Sequence, residues 1–266
     1  MKKLSTLYSA LLLFGVTGCT YIEPPGPFSV PANEKSYIQG FFELEDIHVS
    51  PISGVKIDKK KKIVNLMSTS FDAPKIYEIT DGIGVVINIG VEGIGKGLID
   101  WGKNNLYVNY YYELVEKIGD TSFNSETVHR YGYDMYANAD TLRSINIICD
   151  KSLDEVHPAG SSLNDIFSIY VKDPYAIVKN GYKSVTGLNY YSLDGGTPEG
   201  YPLSLFGSQL SSVNLIEKPY IGTKLYLVLD TIPEHTDEYT FTVFVTNKQG
   251  KTIEKTTEPV RIKGAD

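Results

Sequence analysis

The chain has 266 residues, of which 42% are hydrophobic and 21% charged, and its 25 basic and 32 acidic side chains leave a net charge of −7. That apolar content and modest charge density belong to a globular chain and exclude an intrinsically disordered one. The acidic balance argues against a nucleic-acid binder, which needs a basic face, and no apolar run reaches the roughly 18 residues of a membrane-spanning helix.

Taken in chain order, Met1 is followed by Lys2 and Lys3 and then by the mostly apolar run 4–16. A basic start and an apolar run of this length make a secretory signal. The residues Val16-Thr17-Gly18-Cys19 that follow resemble the lipobox of bacterial lipoproteins. The resemblance implies that residues 1–18 are a signal peptide and that Cys19 carries the acyl chains, palmitate among them, and begins the mature protein. Thr20 in place of aspartate implies the outer membrane, on its periplasmic or cell-surface face. An ordinary secretory signal with a chance cysteine is the alternative. Two or more acyl chains anchor a protein stably where one does not. Removing the signal takes away two lysines and no acid, so the mature chain is more acidic still and has no net attraction to anionic lipid.

Residues 19–36 read as a tether, because Pro24, Pro25, Gly26, Pro27 and Pro31 disfavour both helix and sheet. Beyond them, short runs rich in Tyr, Phe, Val, Ile and Thr alternate with turn residues, the signature of an all-β, antiparallel β-sandwich. Residues 55–57 and 63–66 flank a polar loop. Residues 106–115 read as a long tyrosine-rich strand, 142–149 as another, and 225–229 as a continuous apolar strand for a sheet centre. The six glycines between Gly82 and Gly97 predict a loop or an irregular edge, with 85–89 paired at most. No stretch of ten residues reads as a helix. The best short candidates are 163–167 and 203–210.

The C-terminal pattern Tyr239-x-Phe241-x-Val243-x-Val245, a turn at 247–250 and a returning strand resemble the closing strands of immunoglobulin-like and fibronectin-type sandwiches. The resemblance implies that Tyr239 is a corner residue whose hydroxyl bonds back to the preceding loop. Residues 37–139 would then be an N-terminal β-rich half and 140–266 an immunoglobulin-like sandwich, with one larger sandwich as the alternative. The layout of lipobox, proline-rich spacer and tyrosine-rich β domain is similar to that of lipoproteins of gut Bacteroidota. It implies localisation and fold but no mechanism.

Most candidate chemistry fails on spacing. Residues 90–97 approach a P-loop, but Gly97 stands where a magnesium-binding hydroxyl is needed and no helix follows, so no nucleotide site is expected. There is no Gly-x-Ser-x-Gly and no His-Glu-x-x-His, and the four histidines are scattered. Cys149 alternates in phase with Ile145 and Ile147 and reads as a buried core residue. Two acidic loops, Asp150, Asp154, Glu155, His157 and Asp165, and Glu234, His235, Asp237 and Glu238, could supply oxygen ligands to Ca²⁺, but neither has the spacing of a known calcium loop. No cofactor and no firm metal site is expected.

Aromatic residues are the remaining lead. Among 20 tyrosines, Tyr110, Tyr111 and Tyr112 stand together, and Trp101 is the only tryptophan. On a strand, Tyr110 and Tyr112 would face one way and Tyr111 the other. One face would meet solvent or a partner, since aromatic rings stack on the apolar faces of sugars. Tyrosine is also simply a good strand residue. The expected function is that of a non-catalytic, lipid-anchored cell-envelope binding or accessory protein for a glycan or protein ligand. The rivals are a structural or filament subunit working by edge-strand pairing and, less favoured, a glycan hydrolase with paired carboxylates.

Overall fold

The computed structural model describes residues 36–58, 63–68, 75–90, 98–99, 105–123, 136–182, 205 and 207–266. Residues 1–18, expected as a signal peptide, Cys19, the expected tether up to residue 35, Trp101 and the glycine-rich stretch 91–97 lie outside the described residues. In chain order the strands and helices are β1 (Gly40–Phe42), β2 (Ile47–Asp58), β3 (Ile63–Ser68), β4 (Gly84–Ile89), β5 (Leu98–Ile99), α1 (Asn105–Ile118), β6 (Tyr136–Asn138), β7 (Leu142–Cys149) and β8 (Phe167–Val171), followed by α2 (Pro174–Lys179), β9 (Ser208–Gln209), β10 (Lys224–Leu229), β11 (Asp237–Tyr239), β12 (Phe241–Asn247), β13 (Thr252–Thr256) and β14 (Val260–Ile262).

The protein is an all-β sandwich of antiparallel sheets with two helices among the described residues. One sheet has six strands in the order β3-β2-β4-β10-β8-β9, and a second has three in the order β13-β12-β7. Their facing side chains form one core. Val85, Ile87 and Ile89 of β4, Phe167, Ile169 and Val171 of β8 and Leu225, Leu227 and Leu229 of β10 meet Ile145, Ile147 and Cys149 of β7 and Phe241, Val243 and Val245 of β12. Phe167 and Phe241 meet edge to face with ring centroids 5.7 Å apart. The period of two sorts these residues inward. In β10 the alternate residues Tyr226 and Val228 are buried too, in a smaller cluster with Ile52, Val55 and Val86. A strand buried on both faces reads as the continuous apolar run seen at 225–229.

Several expectations change. β4 lies inside the six-stranded sheet, between β2 and β10, and is not an irregular edge. Its glycine is what permits the approach, because a Cβ on Gly84 would overlap the Leu227 carbonyl. Since β2, β3 and β4 share a sheet with β8 and β10, the boundary expected at 139/140 runs through a common sheet, and residues 31–266 form one compact unit. Residues 163–166 are not helical, and the turn at Leu210–Ser212 is a single 3₁₀ turn.

The outer edge of β7 is covered. The Leu163 amide donates to the Ile147 carbonyl at 2.9 Å and the Gly160 amide to the Cys149 carbonyl at 2.8 Å. The Asn164 carboxamide accepts from the Ile147 amide at 3.1 Å and donates to the Ile145 carbonyl at 2.8 Å. One side-chain amide thus stands in for the peptide unit of a missing neighbouring strand, and the loop closes an edge that would otherwise be open to another chain.

A third layer lies outside the sandwich proper. β1 pairs in parallel with β6 and antiparallel with β5. α1 and α2 join them in a separate cluster that includes Tyr37, Phe41, Tyr111, Leu114, Ile118, Phe123, Ile177 and Tyr182.

Candidate functional site

Residues 105–118 form a helix where a strand was expected. Tyr111, Leu114, Val115 and Ile118 are buried at i, i+3, i+4 and i+7, the stripe a helix needs to pack on one side. Tyr111 packs 6.0 Å from the Phe41 ring, and its hydroxyl donates to the Ile38 carbonyl at 2.8 Å. Tyr110 and Tyr112 stay 36% and 41% exposed. Two residues on a helix are about 200° apart, so these two tyrosines leave on different sides and not on the common face of a strand.

The side of Tyr110 is the more elaborate. The register pairs Phe42 with Asn138, so the chain beyond each strand sets Asp140 opposite Leu44, the residue after Glu43. The Ala139 amide donates to the Phe42 carbonyl at 2.9 Å, and the Leu44 amide donates to the Asp140 carboxylate at 2.7 Å. Burial raises the Tyr110 hydroxyl pKa, and the charges of Glu43 and Asp140 raise it further. Burial likewise lifts the Glu43 carboxyl above its ordinary range, with the neighbouring Asp140 and Glu45 adding to it. Tyr220 continues the surface. It lies 5.3 Å from Tyr175 and 6.3 Å from Phe41, between ring centroids. Lys117 stands 6.0 Å above the Tyr220 ring and Lys179 5.1 Å above that of Tyr175. Tyr220 follows Pro219 and holds φ at 56°, a left-handed conformation that glycine adopts more easily.

At the end of α1 Asp120 is fully buried. One carboxylate oxygen accepts from the Tyr37 amide at 2.8 Å and the Tyr182 hydroxyl at 2.9 Å. The other accepts from the Ser36 hydroxyl and the Ile38 amide, both at 2.7 Å. Four donors match the capacity of a carboxylate. Burial, with the Asp120 charge behind it, pushes the Tyr182 hydroxyl up to about 12, so it remains a donor. Asp120 and Tyr182 occupy equivalent places. Gly119 and Gly181, at φ 78° and 60°, end the two helices, and the next residue in each case returns its amide to a carbonyl five residues back. Both are Schellman ends. The sequence signal, a glycine closing an apolar-periodic run, stands in Ile118-Gly119-Asp120.

In the first acidic loop the carboxylates of Asp154 and Asp165 meet a histidine. His157 Nδ1 meets the Asp154 carboxylate at 2.8 Å and Nε2 meets Asp165 at 3.1 Å. Burial works against a charged imidazole there, but the hydrogen bonds to Asp154 and Asp165 outweigh it and hold the His157 pKa above its ordinary value. Asp154 also accepts from the Val156 and His157 amides, Asp150 accepts from the Thr240 amide at 2.8 Å, and Glu155 is exposed. These oxygens are spent on separate turns and form no cage. Asp237 pairs with Lys151 at 2.7 Å and His235 meets Asp266 at 3.3 Å, so the second loop does not converge either. Among the described residues no group of three or more His, Cys, Asp or Glu side chains is placed to hold a metal ion. Burial pushes the Cys149 thiol up to about 12, which keeps it protonated inside the core. The Tyr239 hydroxyl donates to the His235 carbonyl at 2.6 Å, the corner bond its position implied.

No helix among the described residues is long and apolar enough to cross a membrane. Comparison with known protein families, with curated proteins and with solved structures finds no match to the chain.

Proposed function

We propose that this protein is a non-catalytic binding or accessory protein of the bacterial cell envelope, lipid-anchored through Cys19 to the outer membrane and holding a glycan or protein ligand. The observation that carries the binding reading is the outward display of Tyr110 and Tyr112 on a helix whose other face is fixed in the core by Tyr111. Tyrosines held rigidly at a surface offer contact area at low entropic cost. Assembly by strand addition finds less support. The loop 160–164 occupies the outer edge of β7. At the opposite edge of that sheet β13 is exposed and charged, and Lys251 and Lys255 next to and within it pair with Glu45 and Asp46.

Two measurements test the two parts. Thioether attachment needs the Cys19 sulfur, so labelled palmitate should enter the wild-type chain and not Cys19→Ser, and only the wild type should sediment with membranes. Equal labelling of both removes the anchor. For the binding part, surface-exposed Tyr110→Ala or Tyr112→Ala should weaken ligand capture without changing the unfolding midpoint.

A further inference from the structure

We propose that residues 154–162 form a flap latched over the end of β7 by the His157 imidazolium, and that loss of the ring proton releases it. The flap depends on neither the anchor nor the surface tyrosines. It hangs between two fixed points, since Leu153 and Leu163 are each 1% exposed and belong to the core shared by the two large sheets. Between them His157 is the one buried side chain, and Val156 beside it is 77% exposed. No apolar side chain of 154–162 is buried, so the hydrophobic effect fixes the two ends and leaves the middle to polar contacts.

Nδ1 of His157 faces Asp154, inside the flap, and Nε2 faces Asp165, beyond Leu163 and outside it. Only the imidazolium carries a proton on both nitrogens and donates to both carboxylates. A neutral ring has one N–H, so either tautomer turns a lone pair toward an ionised carboxylate. Asp154 and Asp165 are the charged groups that act on the ring. Burial opposes its charge, and the hydrogen bonds to these two carboxylates outweigh that. The neighbouring segment 230–236 reaches the loop through the Glu234 amide, which donates to the Leu153 carbonyl at 2.7 Å, while Glu234 is itself exposed. Asp154 accepts from the Val156 and His157 amides, and the Leu153 amide donates to the His157 carbonyl at 3.0 Å, so the turn keeps its shape as it moves. The flap meets β7 through the Gly160 amide on the Cys149 carbonyl at 2.8 Å and the Ser162 hydroxyl on the Asn146 carboxamide at 2.6 Å. Release breaks both and uncovers the C-terminal end of the β7 edge. The bonds of Leu163 and Asn164 to Ile147 lie past the flap and persist. The folded pKa of His157 lies above 6.5, so the flap is closed below that value and opens as pH rises through the raised pKa.

The test is amide hydrogen exchange, resolved by residue, on the full chain in detergent at about pH 5.5 and about pH 8.5, with each rate referred to the intrinsic rate at its own pH. The Gly160 amide should lose protection by about fivefold or more at the higher pH, while the Leu163 amide and the Val243 amide of β12 keep theirs. His157→Gln should leave Gly160 weakly protected at both pH values. Asp165→Asn should keep it protected at both, because a carboxamide accepts from the charged ring and donates to the lone pair of the neutral one. Should His157→Gln not fold, the wild type and Asp165→Asn decide between them. Equal protection of Gly160 at both pH values in the wild type overturns the proposal. So does a pH effect that survives in His157→Gln or in Asp165→Asn, which assigns it to another group. A loss that Leu163 and Val243 share with Gly160 also overturns it, since the whole sheet and not a flap would then be opening.

Discussion

In the sandwich, two sheets are joined by rows of inward aliphatic and aromatic side chains, each row repeating every second residue. In the layer built by α1, α2, β1 and β6, a comparable apolar cluster surrounds a buried carboxylate that binds two backbone amides and two hydroxyls from chain segments more than 60 residues away. The first region spreads its stability over many contacts of similar kind. The second concentrates orientation in one residue. A mutation in the first should therefore weaken the whole fold, and one in the second should loosen a part of it.

The largest expected effect is Phe241→Ala. Its ring is fully buried against Phe167, so truncation should cost about 3–5 kcal/mol, read as a lowered urea midpoint reported alike by every probe. Asp120→Leu comes next, at about 3 kcal/mol, because four buried donors lose their acceptor. Its signature is regional. Hydrogen exchange should quicken in 36–41, 105–123 and 174–182 while the β12 amides stay protected. If β12 loses protection equally, the two regions are not separate in stability. Tyr239→Phe, removing the bond to His235, should cost about 1–2 kcal/mol in the same urea titration, and an unchanged midpoint removes the corner as a source of stability.

The smallest effect is a pH dependence confined to the loop at 150–166. The folded pKa of His157 lies above 6.5, so its contribution is complete below that value and is lost as pH rises through the raised pKa. That of Asp154 lies below 3.8, so its contribution is present above 3.8 and is lost as pH falls through the lowered pKa. The loop is tightest between those limits. Comparing wild type with His157→Gln at about pH 5.5 and about pH 8.5, the gap in unfolding midpoint should be wider at the lower pH. An equal gap at both means that His157 is not charged in the folded protein.

The two regions also differ in how far they could be read from sequence. The strands at 142–149, 225–229 and 241–247 were legible because alternation and apolar runs are local properties. The bond from Tyr239 was legible because its partner is four residues away. α1 was misread because Tyr110-Tyr111-Tyr112 carries strong strand propensity, which outweighed the spacing of Tyr111, Leu114, Val115 and Ile118. That error put Tyr110 and Tyr112 on one face and hid the neighbours each has. Asp120 was beyond sequence reading for another reason. Its partners Ser36, Tyr37 and Ile38 are more than 80 residues distant, and nothing local marks a carboxylate as buried. Asp140 reaches the Leu44 amide through a strand register that only the folded chain defines.

The position of Asp120 has a mechanical consequence. The chain reaches the described domain at Ser36, and within three residues it is bonded three times to a single side chain. A pull from the preceding segment would load those bonds together rather than one after another. Part of the force would pass through Asp120 to the Gly119 turn and α1, and the rest along the backbone into β1 at Gly40. Asp120 would thus share a load between the helices and the strands instead of leaving the entering strand to bear it alone.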